Sequence, residues 1–338
     1  MTSVNLEEKF AYEVMVAGQL ASALEVSGWP KPGNVHRARD LSDVRYEHFL
    51  AGAAALGPSL REAAIRGIKS GKGSTPLSDV GVGALIKRAV SDINSWHRGG
   101  NTHLGTCILL VPLAVAAGKT CVEHGKVASE ELRLNVIEVT YNTTAIDAVN
   151  VYEAIRIAGA ERTLGRAETA EAPDVFDQKA RDRLVSENIT LYDVMKASSE
   201  WDNVASEFVS GMKNVFDVGY LCIVENLNST RDINTAIVHA YLELLNKVPD
   251  TLIARKAGLK ETEDVKSAVK IGLKRTAWVS REAGRILELG GLTTPEGRRA
   301  LEAFDEKLHK AGGELNPGTT ADLLAASIMV ALLCGLRY

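Results

Sequence analysis

Four short segments combine glycine, proline, amide and charged side chains in ways that suit ligand binding. The first is Lys31-Pro-Gly-Asn-Val35, after a helix expected to end near Ser27-Gly28. Proline stiffens the turn, glycine lets backbone approach a ligand, and a lysine stands beside them. The second is Arg98-Gly-Gly-Asn-Thr-His-Leu-Gly105, which leads into an apolar run. A glycine-rich helix start offers free backbone N–H groups and the positive end of the dipole, a natural anion site. Gly100, Asn101, Thr102 and His103 are its candidate ligands, with Arg98 as a further donor. The third, Pro249–Gly258, places Asp250, Arg255 and Lys256 within seven residues. Arg255 is more than one helical turn from Asp250, so the two need not pair with each other. The fourth, Asn316-Pro-Gly-Thr-Thr-Ala-Asp322, opens an apolar C-terminal helix, where an acid complements the dipole or faces a cavity. Each segment also has a plain reading as a tight turn, a helix cap or a solvated charge.

Further carboxylates fall on expected core helices: Asp147 and Glu153 on Thr143–Ala158, then Asp202 and Glu207 on the next long helix. Acids from several helices that face one cavity can hold Mg²⁺ and a phosphate substrate. Asp147, Asp202 and Glu207 are therefore the candidate metal ligands; taken singly, each acid is better read as a solvated surface position. Other signals fail. Gly118-Lys-Thr120 lacks the earlier glycine of a P-loop, since Leu113 holds that position, and it is expected to close a helix rather than open one. Gly81-Val-Gly83 has Ile86 in the third glycine's place and no strand before it. The seven histidines form no HxxxH or HExxH pair, so spacing gives no histidine metal site. Gly71-Lys-Gly-Ser74 reads as a basic loop or a mobile lid.

The elements that must position these residues are helical. Val204, Phe208, Met212 and Val215 recur at steps of three and four along Asp202–Asn226, and Thr230–Val248 and Thr276–Leu289 behave the same way. Ser229-Thr-Arg-Asp232, Thr190-Leu-Tyr-Asp193 and Thr294-Pro-Glu296 have the form of helix starts. Strand signals are scarce, with Leu134–Thr140 the main ambiguous piece. The expectation is an all-α, single-domain chain over residues 1–338: a bundle of about a dozen helices around a central polar cleft. Glycine and proline cluster in loops, no long linker or repeat divides the chain, and Ala160–Arg183 reads as a surface excursion.

The 338 residues carry a net charge of −4, with 46% hydrophobic and 24% charged side chains. This is the mix of a folded globular protein rather than a disordered one. A pI near 6.0 argues against a nucleic-acid partner, which needs a basic field. Four scattered cysteines without a CxxC argue against a disulfide framework or zinc site and fit a reducing compartment. The polar N-terminus does not read as a signal peptide. The apolar runs Leu104–Ala117 and Leu323–Leu336 fall short of the roughly 20 residues that span a bilayer. A cytoplasmic protein with no membrane partner is expected.

Taken together and in order, the motifs resemble the triphosphoribosyl-dephospho-CoA synthase family, in its archaeal-type branch. The matching pieces are Lys-Pro-Gly-Asn-Val (31–35), Gly-Gly-Asn-Thr-His-Leu-Gly (99–105), Asp-Ala-Val-Asn-Val-Tyr-Glu-Ala-Ile-Arg (147–156), Asp-Thr-Leu-Ile-Ala-Arg-Lys (250–256) and Gly-Thr-Thr-Ala-Asp-Leu-Leu-Ala (318–325). The resemblance implies an all-α transferase that displaces adenine from ATP. The 5-triphosphoribosyl group would pass to the 2′-hydroxyl of 3′-dephospho-CoA or a related nucleotide acceptor, with Mg²⁺ accompanying the ATP. It implies Lys31, Asn101, Thr102, His103, Asp250, Arg255 and Asp322 as site residues. Asp250 and Asp322 are then the acids nearest the reaction, and Lys31, Arg255 and Lys256 the phosphate cations, with a homodimer as a possible assembly. The chain departs from the family pattern at Leu104, Leu252 and Thr319-Thr320. The alternatives from other classes are a Mg²⁺-dependent ribosyl-nucleotide glycohydrolase and a non-catalytic nucleotide-binding protein.

Overall fold

The structure is a computed structural model and describes residues 3–160, 164–166, 169 and 171–338. The helices are α1 (Ser3–Ser27), α2 (Tyr46–Ala55), α3 (Gly57–Gly71), α4 (Val82–Trp96), α5 (Leu104–His124), α6 (Ser129–Tyr141), α7 (Ala145–Ile157) and α8 (Ala180–Ser186). They continue with α9 (Leu191–Ser198), α10 (Asn203–Val209), α11 (Leu221–Thr230), α12 (Ile233–Lys247), α13 (Thr251–Gly258), α14 (Val265–Glu288), α15 (Pro295–His309) and α16 (Gly318–Leu333). Among the described residues there is no strand, only two isolated β-bridges. The fold is all-α, as the periodicity requires.

Two helices that are apolar all round, α5 and α16, form the centre. A helix without a polar stripe must be buried on every side, and nearly all of Leu104–Thr120 and Thr319–Leu332 is buried. They pack on each other and on α1, with α3 and α6 against α5, and α12 and α13 against α16. Closeness is set by missing side chains. A Cβ on Gly67 would lie 2.0 Å from the Val115 carbonyl oxygen, and one on Gly118 2.2 Å from that of Ala64, so α3 and α5 touch backbone to backbone. Gly118 therefore does not close a helix: α5 runs on to His124, and Gly125, at φ 72°, ends it. The longer helix is also long and apolar enough to cross a membrane, but 83% of its apolar window is buried inside the protein.

Helix starts are mostly where expected. Thr190 and Asp193 form a capping box on α9, Thr294 caps α15 with Pro295 in its first turn, and Thr144 and Asp147 do the same for α7 as Thr190 does for α9. Before α12 the cap is Asp232 itself, which accepts from the Thr235 N–H at 2.6 Å. Ser229 and Thr230 belong to α11, and Arg231 turns left-handed at φ 55° between the two helices. The expected long helix from Asp202 is also broken. It splits into α10, a turn with Gly211 and Met212 at φ 65° and 55°, a π-helical segment Val215–Tyr220, and α11. Val204, Phe208, Met212 and Val215 are nonetheless all buried, so the apolar spacing reports the buried face but not the continuity. Leu134–Thr140 is helical within α6.

Candidate active site

The helices enclose a cavity of about 270 Å³ between the starts of α5, α10 and α16, the body of α7 and the segment Ala172–Phe176. That segment is part of the expected surface excursion. These residues instead roof the cavity, held down by the Tyr152 hydroxyl, which donates to the Pro173 carbonyl at 2.7 Å. Residues 177–179 are exposed, as expected, and residues 161–163, 167, 168 and 170 lie outside the described residues. Most of the lining is apolar, with Ile108, Val151, Ile155, Phe176, Met195 and Trp201 on its walls. Polar side chains, among them Glu25, Asn34, Thr106 and Asp174, are set among these apolar ones, so the chamber is not the polar cleft that was expected.

Five of the expected residues line the cavity: Asn101, Thr102, Asp202, Arg255 and Asp322. Asp322 is the fifth residue of α16. Its Oδ1 accepts from Thr106 Oγ1 at 2.6 Å, and the carboxylate also takes the Thr106 N–H. Gly105 makes this approach possible, since a Cβ there would fall 2.1 Å from Asp322 Oδ2. The backbone anion site expected at the start of α5 is therefore already filled from within. Asp322 takes one N–H, and Asn101 Oδ1 takes that of Leu104 at 3.1 Å. Burial pushes the Asp322 carboxyl up to about 8; hydrogen bonding to Thr106 opposes this, and the negative neighbours Glu25 and Asp250 reinforce it.

Arg255 and Asp202 form the second polar element. Asp202 caps α10 through Oδ1, bonded to the Val204 and Ala205 N–H groups at 2.9 and 3.1 Å, and turns Oδ2 to Arg255 Nη2 at 3.1 Å. Arg255 Nε is buried without a hydrogen-bond partner, as is Asn34 Oδ1 on the same lining. A buried donor or acceptor left unpaired costs about 1–3 kcal/mol, so these two atoms, one donor and one acceptor, are suited to a ligand that would satisfy them.

Other expected residues stand behind this wall. Lys31 is fully buried and does not line the cavity; its Nζ is salt-bridged to Glu25 and donates to the Glu25 carbonyl at 2.9 Å, closing the end of α1. Burial drives both groups toward their neutral forms, Lys31 downward and Glu25 upward, while their mutual attraction opposes it. Asp250 is buried and fully engaged: Oδ1 caps α13 through Leu252 and Ile253, and Oδ2 accepts from the Thr320 N–H and hydroxyl at 2.7 and 2.9 Å. It ties α13 to α16 instead of facing the cavity. His103 packs beside Phe49 with Nδ1 2.8 Å from Thr102 Oγ1, and burial lowers its pKa to about 3. Gly100 and His103 lie outside the lining, as does Lys256, whose Nζ donates to the Gly313 carbonyl at 3.0 Å.

The three expected metal ligands do not converge. Asp147 takes the Gly83 N–H at 2.8 Å and completes the cap of α7, and Glu207 takes the N–H groups of Asn214 and Val215 at 3.1 and 2.9 Å. Both serve backbone away from the cavity, and Asp202 alone of the three lines it. Glu25 and Asp174 are the cavity acids that motif reading missed, and Glu25 is the more legible of the two. Its signal was present in the sequence: a lone carboxylate near the end of α1 between Leu24 and Val26, where the dipole disfavours a negative charge.

Comparison with known proteins places the chain in a family. The profile of the ATP:dephospho-CoA triphosphoribosyl transferase family (CitG) matches residues 11–337. A Klebsiella pneumoniae protein named 2-(5″-triphosphoribosyl)-3′-dephosphocoenzyme-A synthase is 24% identical over 319 residues, 94% of this chain and 89% of that one. A crystal structure from Archaeoglobus fulgidus, of a protein assigned as a triphosphoribosyl-dephospho-CoA synthase, superposes with a TM-score of 0.58 at 26% identity. That likeness covers 85% of this chain and all of the other. With an all-α fold, four motif-derived residues on one chamber and a family match over almost its whole length, the chain belongs to the ATP:dephospho-CoA triphosphoribosyl transferase family.

Proposed function

We propose that the chain displaces adenine from ATP and transfers the 5-triphosphoribosyl group to the 2′-hydroxyl of 3′-dephospho-CoA. The observation that carries the chemistry is Asp322, a cavity carboxyl poised near neutrality beside Thr106 and Glu25. In the transfer the bond between ribose C1′ and adenine N9 breaks and a bond from C1′ to the acceptor oxygen forms. The acceptor hydroxyl loses one proton and the departing adenine gains one, so no further reactant is needed. Positive charge builds at C1′ as adenine leaves. A carboxylate facing the ring stabilises it, and a base with a pKa near the working pH is well matched to take the hydroxyl proton. Asp322 is assigned both tasks, with Thr106 orienting it.

The apolar chamber suits the base and the less polar parts of the two nucleotides, and Trp201 offers an aromatic face. Arg255 is the one lysine or arginine among the described lining residues. Its orphaned Nε would bond a phosphate oxygen, and a guanidinium matches phosphate in two-point geometry. One arginine does not offset a triphosphate, so Mg²⁺ enters with ATP as part of the substrate. The described residues offer no preformed cluster of carboxylates at the cavity to hold the ion by themselves. Mass spectrometry of the acceptor after incubation with Mg²⁺ and ATP tests the reading. Dephospho-CoA gains the mass of a triphosphoribosyl unit if it holds, and gains a phosphate or nothing if it fails.

A further inference from the structure

Behind the cavity wall, three side chains converge where the loop after α1 meets α15. His36 Nε2 lies 3.3 Å from Asp305 Oδ2, and His309 Nδ1 lies 2.9 Å from Asp305 Oδ1. One ligand atom from each falls within 4.8 Å of the others, the one such group of three histidine, cysteine or acidic residues among the described residues. The side chains are 1%, 9% and 3% exposed. His309 Nε2 is buried and has no hydrogen-bond partner. Asp305 and His309 are four apart on α15 and so share a face, the spacing by which a helix supplies two ligands to one ion.

We propose that His36, Asp305 and His309 bind a divalent transition metal of the Zn²⁺ class. Two imidazoles and one carboxylate suit such an ion, whereas Mg²⁺ seeks oxygen ligands in octahedral array. The 3.3 Å between His36 Nε2 and Asp305 Oδ2 fits the edge of a tetrahedron with bonds of about 2.0–2.1 Å. His36 binds through Nε2, its proton moves to Nδ1, and the long 3.3 Å contact from the Ala38 N–H is given up. The His309 nitrogen that the structure brings to the cluster is Nδ1, 2.9 Å from Asp305 Oδ1, and as a ligand it gives up its 3.0 Å contact with the Asp305 carbonyl. The Gly33 N–H already holds Asp305 Oδ1 at 3.1 Å. Arg39 is 3.7 Å from Asp305 but is bonded more closely to Glu306 at 2.6 Å, which blunts its repulsion of a cation. Water completes the fourth position. The ion would clamp the loop carrying Lys31 and Asn34 onto α15 and so brace the cavity wall.

Titrating the metal-stripped full chain with Co²⁺ tests this. One ion per chain is expected, with the visible absorption of a tetrahedral nitrogen–oxygen site, displaced by Zn²⁺ but not by excess Mg²⁺. His36→Gln and His309→Gln, shown folded by circular dichroism, should weaken binding by more than the ~10–100-fold that losing an outer partner costs. No band in the wild type overturns the proposal, and so does equal binding in both variants, which would place the ion elsewhere. Should either variant fail to fold, histidine ¹⁵N spectra of the wild type decide. Zn²⁺ must shift the ring nitrogens of His36 and His309, and unchanged signals contradict the site.

Discussion

Thr106 Oγ1 donates to Asp322 Oδ1 at 2.6 Å, joining the N-terminal end of α5 to the N-terminal part of α16 across 216 residues of sequence. The two most apolar helices of the chain thus meet at their starts around one carboxyl, and that contact faces the cavity. An aspartate with an ordinary pKa would be fully ionised at neutral pH; this one is held near 8 by burial. A base must be deprotonated to work, so the transfer rate should rise with pH up to about 8 and level off above it, provided substrate ionisation is controlled with saturating Mg²⁺ and ATP. Asp322→Asn should abolish this profile and lower adenine release by about 10²-fold or more. A profile that is flat from pH 6 to 9 would remove Asp322 from the proton transfer.

The same shift has a stability consequence of opposite sign. A carboxyl with a folded pKa above its unfolded one is more protonated in the folded state, so folding weakens as pH rises from about 4 toward 8. Asp322→Asn removes that loss. Thermal melts of the variant should fall less than wild type between pH 5 and 8, and a parallel pair of curves would show that the carboxyl is not shifted.

Lys31 and Arg255 should separate cleanly. Arg255→Ala leaves Asp202 near the cavity and removes the expected phosphate contact, so ATP binding should weaken by about 1.5–3 kcal/mol with the fold retained. Lys31→Ala strands Glu25 in the interior and should cost about 3–5 kcal/mol of stability in urea unfolding, as breaking one side of a buried pair does. A Lys31→Met, Glu25→Leu double variant should recover most of that stability. Equal stability of Lys31→Ala and wild type would contradict the buried pair.

Asp250→Asn probes the joint between α13 and α16. Asparagine could still cap α13, but its amide N–H groups would face the Thr320 N–H that Asp250 Oδ2 now accepts. A loss of about 1–3 kcal/mol is expected, with the cavity lining itself unchanged. Near-normal stability in calorimetry would mean the residue is not committed to this joint.

The architecture was readable because burial leaves a periodic trace. The all-apolar stretches that became α5 and α16, and caps such as Thr190 and Thr294, are local facts that neighbouring residues report. The break at Gly211-Met212 was hidden, because its buried residues keep the helical spacing through a π-helical turn. The site was half legible for a related reason. Short motifs identified Asp322, Asn101, Thr102 and Arg255, which lie on the cavity, and equally Lys31, Asp250 and His103, which support it from behind. Sequence shows which residues a loop presents but not which side of a wall a side chain takes. That depends on partners far away in the chain, as Asp250 has in Thr320 and His36 in Asp305. Asp147 and Glu207 were misplaced by the same limit, since an acid that caps distant backbone resembles one that holds a metal.

The central claim is that adenine leaves only as the triphosphoribosyl group is handed to an acceptor. The most direct measurement follows adenine by chromatography in wild type and Asp322→Asn, with Mg²⁺ and ATP, with and without 3′-dephospho-CoA. The account predicts adenine release by wild type that requires the acceptor, matches it mole for mole, and drops by about 10²-fold in the variant. Adenine released at the same rate without acceptor would make the protein a glycohydrolase, and ATP bound with no adenine formed would make it a binding protein; either result contradicts the transfer.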